Sequence, residues 1–183
     1  MRAVNVELIR HTALPRDPIR RLAVAIARAV PGDALALTFR IEGELAHLCL
    51  PEVTVPRRAD ALWQQSCFEA FLRPAGGYAY FEFNFSPTGA WAAYRFGGRR
   101  LGRELPELTA PKMEVRRGPD WLAMDIRLAL DELPELALAA SISVGLAAVV
   151  EDEHGDLSYW ALAHGAARPD FHDPATFTLR VPA

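Results

Sequence analysis

Apolar residues recur at every second position through most of this chain, in short runs that end at Gly, Pro or Asp. That period sets alternate side chains on opposite faces of an extended strand, so it predicts an all-β protein, a two-layered antiparallel sandwich. Strands are predicted over residues 4–9, 35–41, 44–50, 67–72, 78–85, 90–96, 113–116, 121–128, 142–151, 157–163 and 177–181. Residues 19–30 are ambiguous. Leu22, Val24 and Ile26 alternate as in a strand, while the alanines and arginines between them also suit a helix, and we read the segment as a strand. Glu42-Gly43 reads as a hairpin turn, and residues 131–138, with Asp131-Glu132 ahead of Pro134, as a short helical connector.

The same period sorts each strand into two faces. Phe81, Phe83 and Phe85 share one face and Tyr80, Glu82 and Asn84 the other; Phe68, Ala70 and Leu72 oppose Cys67, Glu69 and Phe71. Leu122, Met124, Ile126 and Leu128 form a core face, as do Ile142, Val144, Leu146, Ala148 and Val150, whose opposites Ser143, Gly145 and Ala147 are small. In residues 90–96 both faces are partly aromatic, and Trp91 and Arg95 are assigned to the outer one. If these strands share a sheet, its second face carries Glu69, Glu82, Asn84, Trp91 and Arg95 over a floor of small side chains. Aromatic planes with Glu, Asn and Arg suit the C–H faces and hydroxyls of a sugar. A solvated face of paired charges is the competing reading.

Length and composition narrow the class. A chain of 183 residues, 51% hydrophobic and 23% charged, fits one globular domain over residues 1–183. The net charge of −3 and pI near 6.0 leave no global positive field for nucleic acid or an anionic membrane. All but one of the twenty basic residues are arginine, a bias that carries no function of its own. Polar residues interrupt the first ten positions, and the longest apolar stretch, from Val144 to Val150, is too short to span a bilayer. A cytoplasmic location follows as the expectation, with Cys49 and Cys67 as free thiols.

Three stretches carry a family resemblance: Ala59-Asp60-Ala61-Leu62-Trp63-Gln64-Gln65-Ser66-Cys67-Phe68-Glu69-Ala70-Phe71-Leu72, then Tyr80-Phe81-Glu82-Phe83-Asn84-Phe85-Ser86-Pro87, then Ser158-Tyr159-Trp160-Ala161-Leu162-Ala163-His164 running on to Arg168-Pro169-Asp170-Phe171-His172. Together they resemble the bacterial DOMON-like family, related to the family 9 carbohydrate-binding modules and to haem- or sugar-binding DOMON domains. The resemblance implies a jelly-roll β-sandwich of about ten strands that binds a ligand without catalysis. In the sugar modules two tryptophans clamp the sugar, one of them six residues before a strand carboxylate, and Trp63 and Glu69 stand at that spacing. Trp160 is the implied second clamp, and Asn84 and Arg95 the polar contacts. Because no export signal is seen, a cytoplasmic sugar such as an aminosugar precursor fits better than a polysaccharide.

Other chemistries were weighed on the same residues. The haem branch of the family would require Met124 or Met113 with a His or Lys, with His164 as the candidate; Met124 lies on a core face, and Lys112, next to Met113, points to the opposite side. Glu151, His154, His164, Asp170 and His172 match no metal spacing, and Arg168 to Asp173 reads as a return loop in which Arg168 pairs with an acid. Cys67 beside Glu69 has its thiol pKa raised and makes a poor nucleophile. The paired Glu69 and Glu82 also suggest glycoside hydrolysis, which demands a set carboxyl separation. An interaction module would instead expose an apolar patch and form a homodimer through it. The sequence therefore predicts a non-catalytic module with no cofactor or metal, taking a small polar ligand, a sugar, on Trp63, Glu69, Glu82, Asn84, Trp91, Arg95 and Trp160.

Overall fold

Phe81, Phe83 and Phe85 do point together into a core, and two sheets enclose it. The computed structural model describes residues 3–12, 17–29 and 34–182, which contain thirteen strands. One sheet has five strands in the order β1 (Val4–Glu7), β3 (Ile19–Ala29), β4 (Ala34–Gly43), β10 (Trp121–Ala129) and β9 (Lys112–Arg117). The larger sheet runs β2 (Ile9–Arg10), β12 (Leu157–Ala161), β11 (Ser141–Glu151), β6 (Cys67–Pro74), β7 (Tyr80–Phe85), β8 (Ala90–Phe96) and β5 (Arg57–Arg58), with β13 (Leu179–Pro182) also paired to β11. Pairing is antiparallel throughout except for the short parallel contact of β5 with β8.

The core forms between the sheets as the alternation requires. Leu22, Val24 and Ile26, Leu35, Leu37, Phe39 and Ile41, and Leu122, Met124, Ile126 and Leu128 meet Phe68, Ala70, Leu72, the three phenylalanines, and the even-numbered apolar side chains of β11. Phe39 stacks on Phe68 with ring centroids 4.9 Å apart, which locks the two layers together. Each large side chain buried here adds about 1.5–3 kcal/mol. The ambiguous segment is a strand to Ala29, and Val30 lies outside the described residues. The expected short helix is present as α1 (Pro134–Ala137).

Three local expectations differ from the structure. Gly43 is not in a hairpin turn; it ends β4 opposite Ile19, where a Cβ would lie 2.0 Å from the Pro18 carbonyl oxygen, so only glycine permits the approach. Residues 44–50 are not a strand, because after Gly43 the chain leaves the sheet into a 3₁₀ turn, Leu45–His47, and Leu45, Leu48 and Leu50 pack on the core from a loop. The predicted strand 4–9 is split at buried Leu8, where the chain passes from one sheet to the other.

A second apolar cluster covers part of the outer face of the larger sheet. Phe71, Tyr80, Tyr94 and Phe96 rise from the strands, and residues 162–178 fold back to lay Phe171 and Phe177 over them. Phe177 sits where a side chain on Gly145 would be, its ring 2.7 Å from the position of a Cβ.

Candidate functional site

Strand register decides which side chains share that outer face. Ala161, Ala147, Glu69, Asn84 and Ala92 stand in one row across β12, β11, β6, β7 and β8. The adjacent row is Gly145, Phe71, Glu82 and Tyr94. The alanines leave space above Glu69, and there a cavity of about 310 Å³ opens. Its floor is Glu69, Glu82 and Val149; Trp63, Tyr94, Phe96, Tyr159 and Phe171 wall it, and Arg100, Arg103 and His172 stand at its edges.

The floor is acidic and buried. Glu69 and Glu82 are 3% and 4% exposed, and Asn84, fully buried, stands opposite Glu69 and two residues beyond Glu82 on β7. Asn84 Nδ2 donates to Glu82 Oε1 at 2.8 Å, which fixes the amide orientation and turns its oxygen away from that acid. Glu69 Oε1 and Asn84 Oδ1 are buried acceptors with no donor among the described residues. Burial, reinforced by the charge of Glu82, holds the Glu69 carboxyl well above the usual carboxylate range. Burial raises Glu82 as well, against the hydrogen bond from Asn84.

His172 reaches the floor from the return loop. Its Nε2 lies 3.4 Å from Glu82 Oε2, and its Nδ1 lies 2.7 Å from the Tyr80 hydroxyl, which accepts the Arg100 backbone N–H. Burial and the nearby Arg100 guanidinium lower the imidazole pKa to about 4, so at neutral pH the ring is uncharged. The tautomer that matches every partner has Tyr80 donating to Nδ1 and Nε2–H turned to Glu82.

Two acids hold the rim. Asp60 accepts from the Tyr94 hydroxyl, from Arg103 at 3.0 Å and from the Ala61 N–H at 2.9 Å. The Arg103 guanidinium also lies 4.2 Å from the Tyr94 ring centre. Asp170 takes Arg99 at 2.5 Å and Arg100 at 3.0 Å, tying the loop after β8 to the return loop. The expected pairing of Arg168 is thus replaced by arginines from a distant loop. Among the described residues, the non-glycine positions in the left-handed region are Ala61 at φ 59° and Arg100 at φ 55°. Ala61 caps the 3₁₀ turn Leu62–Gln64 that presents Trp63, and Arg100 lines the cavity. Such backbone costs of order 1 kcal/mol or more each, and both are held at this rim.

The structure brings Trp63, Glu69 and Glu82 to the cavity and sets Asn84 beside them. It does not bring Trp91, Arg95 or Trp160. Register pairs Phe85 with Trp91 and Phe81 with Arg95, on the side of the sheet facing the core, while Tyr94 and Phe96 occupy the outer side. Trp91 is buried in the core, and Arg95, partly exposed near the end of β8, pairs at the surface with Glu104 and Glu135. Trp160 opposes Ala148, packs in the same core and donates Nε1–H to Ser158 Oγ at 3.0 Å, so its neighbour Tyr159 is the aromatic that meets the cavity. Met124 is fully buried between the sheets, Met113 packs against that core from β9, and His164 bonds the Ile9 carbonyl, so none of the three lines the cavity.

Sequence reasoning missed Tyr94, Tyr159, Arg100, Arg103 and the site position of His172. The signal for the tyrosines was present, since each lies an odd number of residues from a tryptophan on the same strand, Tyr94 three from Trp91 and Tyr159 one from Trp160, and so takes the opposite face. Cys49 and Cys67 are free thiols; burial, then the Glu69 charge, raises Cys67 well above the usual thiol range. Among the described residues no group of three or more His, Cys, Asp or Glu is placed to hold a metal ion, and no helix is long and apolar enough to cross a membrane.

No family model matches the chain, and no curated protein matches its sequence. Solved structures do share its fold. A candidate carbohydrate-binding protein from Bacteroides uniformis superposes with a TM-score of 0.73 at 16% identity, over 98% of this chain and 86% of its own. A family 9 carbohydrate-binding module from Caldicellulosiruptor kristjanssonii, solved with glucose, gives 0.54 at 9% identity over 88% and 75% of the two chains. The same kind of module in complex with cellotriose gives 0.51 at 9% identity. The chain is therefore a β-sandwich of the kind seen in family 9 modules.

Proposed function

We propose that this protein is a non-catalytic binding module that takes a sugar into the cavity above Glu69. The observation that carries the reading is the cavity itself: aromatic walls over buried carboxylates, on the outer face of a sandwich whose structural relatives include modules solved with glucose and cellotriose. Trp63 and Tyr159 offer planes to the C–H face of a pyranose; Glu69 and Glu82 accept from its hydroxyls, and Arg100 and Arg103 donate. The resemblance to the DOMON-like family, with a cytoplasmic sugar as ligand, is part of the same proposal.

The carboxylate geometry supports binding over hydrolysis. Glu69 and Glu82 rise from neighbouring strands of one sheet face and approach a ligand from the same side. Glycosidases place their two carboxyls on either side of the scissile bond. Titration of the intrinsic tryptophan fluorescence with glucose, glucosamine and cellobiose tests the reading, because Trp63, 36% exposed at the rim, reports contact directly. Saturable quenching or a blue shift that is abolished by Trp63→Ala is expected. No saturable change with any of the three sugars would overturn it.

A further inference from the structure

Glu69 Oε1, on the cavity floor, and Asn84 Oδ1, from the residue opposite it on β7, are buried with no donor among the described residues; Glu82 already uses one oxygen on Asn84, and a buried acceptor left without a donor is destabilising. The basic groups facing the cavity are engaged elsewhere: Arg100 is paired with Asp170, Arg103 with Asp60, and His172 stands uncharged between Tyr80 and Glu82. Among the described residues no cation is hydrogen-bonded to Glu69, and burial opposes its ionisation until a cation is brought beside it.

A hydroxyl supplies a donor but no charge, and leaves the proton on Glu69. An ammonium supplies three donors, no acceptor and a positive charge; beside it Glu69 releases its proton to solvent and pairs as the carboxylate. We propose that the cavity floor at Glu69 is a subsite for the protonated amine of an amino sugar. This rests on the sugar-binding reading and narrows it to sugars whose nitrogen is not acylated, since an N-acyl group carries neither the charge nor the three donors.

Isothermal titration of the intact protein with glucosamine, glucose, N-acetylglucosamine and cyclohexylamine, below the pKa of the amines, tests it. Glucosamine is expected to bind about ten- to a hundredfold more tightly than glucose, as a charge-assisted contact to a buried carboxylate predicts. N-acetylglucosamine should not share the gain. The preference should vanish in Glu69→Gln, whose fold is checked by circular dichroism, and in the wild type roughly two pH units above the amine pKa, where the charge is gone. Glucose binding as tightly as glucosamine would overturn the ammonium subsite and leave the sugar reading standing. Cyclohexylamine binding with none of the sugars would keep the subsite and overturn the sugar reading, and no binding by any of the four would overturn both.

Discussion

Glu69 and Asn84 stand opposite one another on β6 and β7, and each carries a buried oxygen that nothing in the described residues donates to. A fold selected for stability alone would fill these positions with apolar or mutually satisfied groups. Their neighbours in the row are alanines, and Glu69 lies under the open space of the cavity and not under packing.

That arrangement makes Glu69 a stability cost with a defined pH dependence. The folded state holds the Glu69 proton to higher pH than the unfolded chain, whose carboxyl titrates near 4.5, so stability is fullest at low pH and is lost as pH rises through the folded-state pKa. Glu69→Gln removes this loss. Its melting temperature should exceed that of the wild type by at least about 2 °C at pH 8, the shift that ~1 kcal/mol produces at this size, and converge with it near pH 4. A variant no more stable at pH 8 than at pH 4 relative to wild type would contradict the assignment.

His172 acts in the opposite sense. Its pKa of about 4 lies below the unfolded value of 6.5, so the folded state resists protonation, and the ring's contribution to stability is present above pH 6.5 and lost as pH falls toward 4. Heteronuclear NMR of the imidazole should show no midpoint between pH 5.5 and 7.5 for this residue. His172→Gln should flatten the acid limb of a melting-temperature profile, and an imidazole midpoint near 6.5 would show the ring to be more open than described.

Trp63 and Trp160 should separate binding from folding. Trp63 is partly exposed and meets Tyr94 edge-on at 6.0 Å, so Trp63→Ala is expected to cost little stability but to weaken sugar binding about tenfold or more, ~1.4 kcal/mol. Trp160 is 6% exposed in the core, and Trp160→Ala should destabilise by about 3–5 kcal/mol while the folded fraction keeps its affinity. Urea denaturation and isothermal titration with the sugar on both variants read the contrast, and the reverse pattern would return Trp160 to the ligand face.

Asp170 joins two loops through Arg99 and Arg100, and its carboxyl, although partly buried, is held below the usual carboxylate range by hydrogen bonds from those arginines. Asp170→Ala should release both loops, with faster hydrogen exchange in residues 97–104 and 168–173 and a stability loss of about 1–2 kcal/mol. Unchanged exchange there would show that the loops are held by their own packing.

The sequence was most legible where one face of a strand is purely apolar. Phe81, Phe83 and Phe85 could only face a core, and that alone sent Glu82 and Asn84 to the other side. It was least legible where both faces carry aromatics. Residues 90–96 offer Trp91 and Arg95 against Tyr94 and Phe96, and only the register of β8 with β7, Glu82 against Tyr94, assigns the faces. Tyr159-Trp160 poses the same choice, settled by the pairing of Val149 with Tyr159. His172 and Arg100 come from loops, whose positions depend on contacts such as Arg100 to Asp170 that strand periodicity does not encode.

The larger sheet separates cavity and core by the thickness of one backbone, with even-numbered residues of β11 packing on one side and odd-numbered ones facing the other. Selection therefore acts on two nearly independent alphabets written into the same strands. Substitutions at positions such as 147, 149 or 159 can alter which ligand is accepted while the packing partners at 146, 148 and 160 keep their neighbours. A lineage built on this sheet can drift from one small molecule to another at almost constant stability, retaining the architecture after the sequence identity has gone.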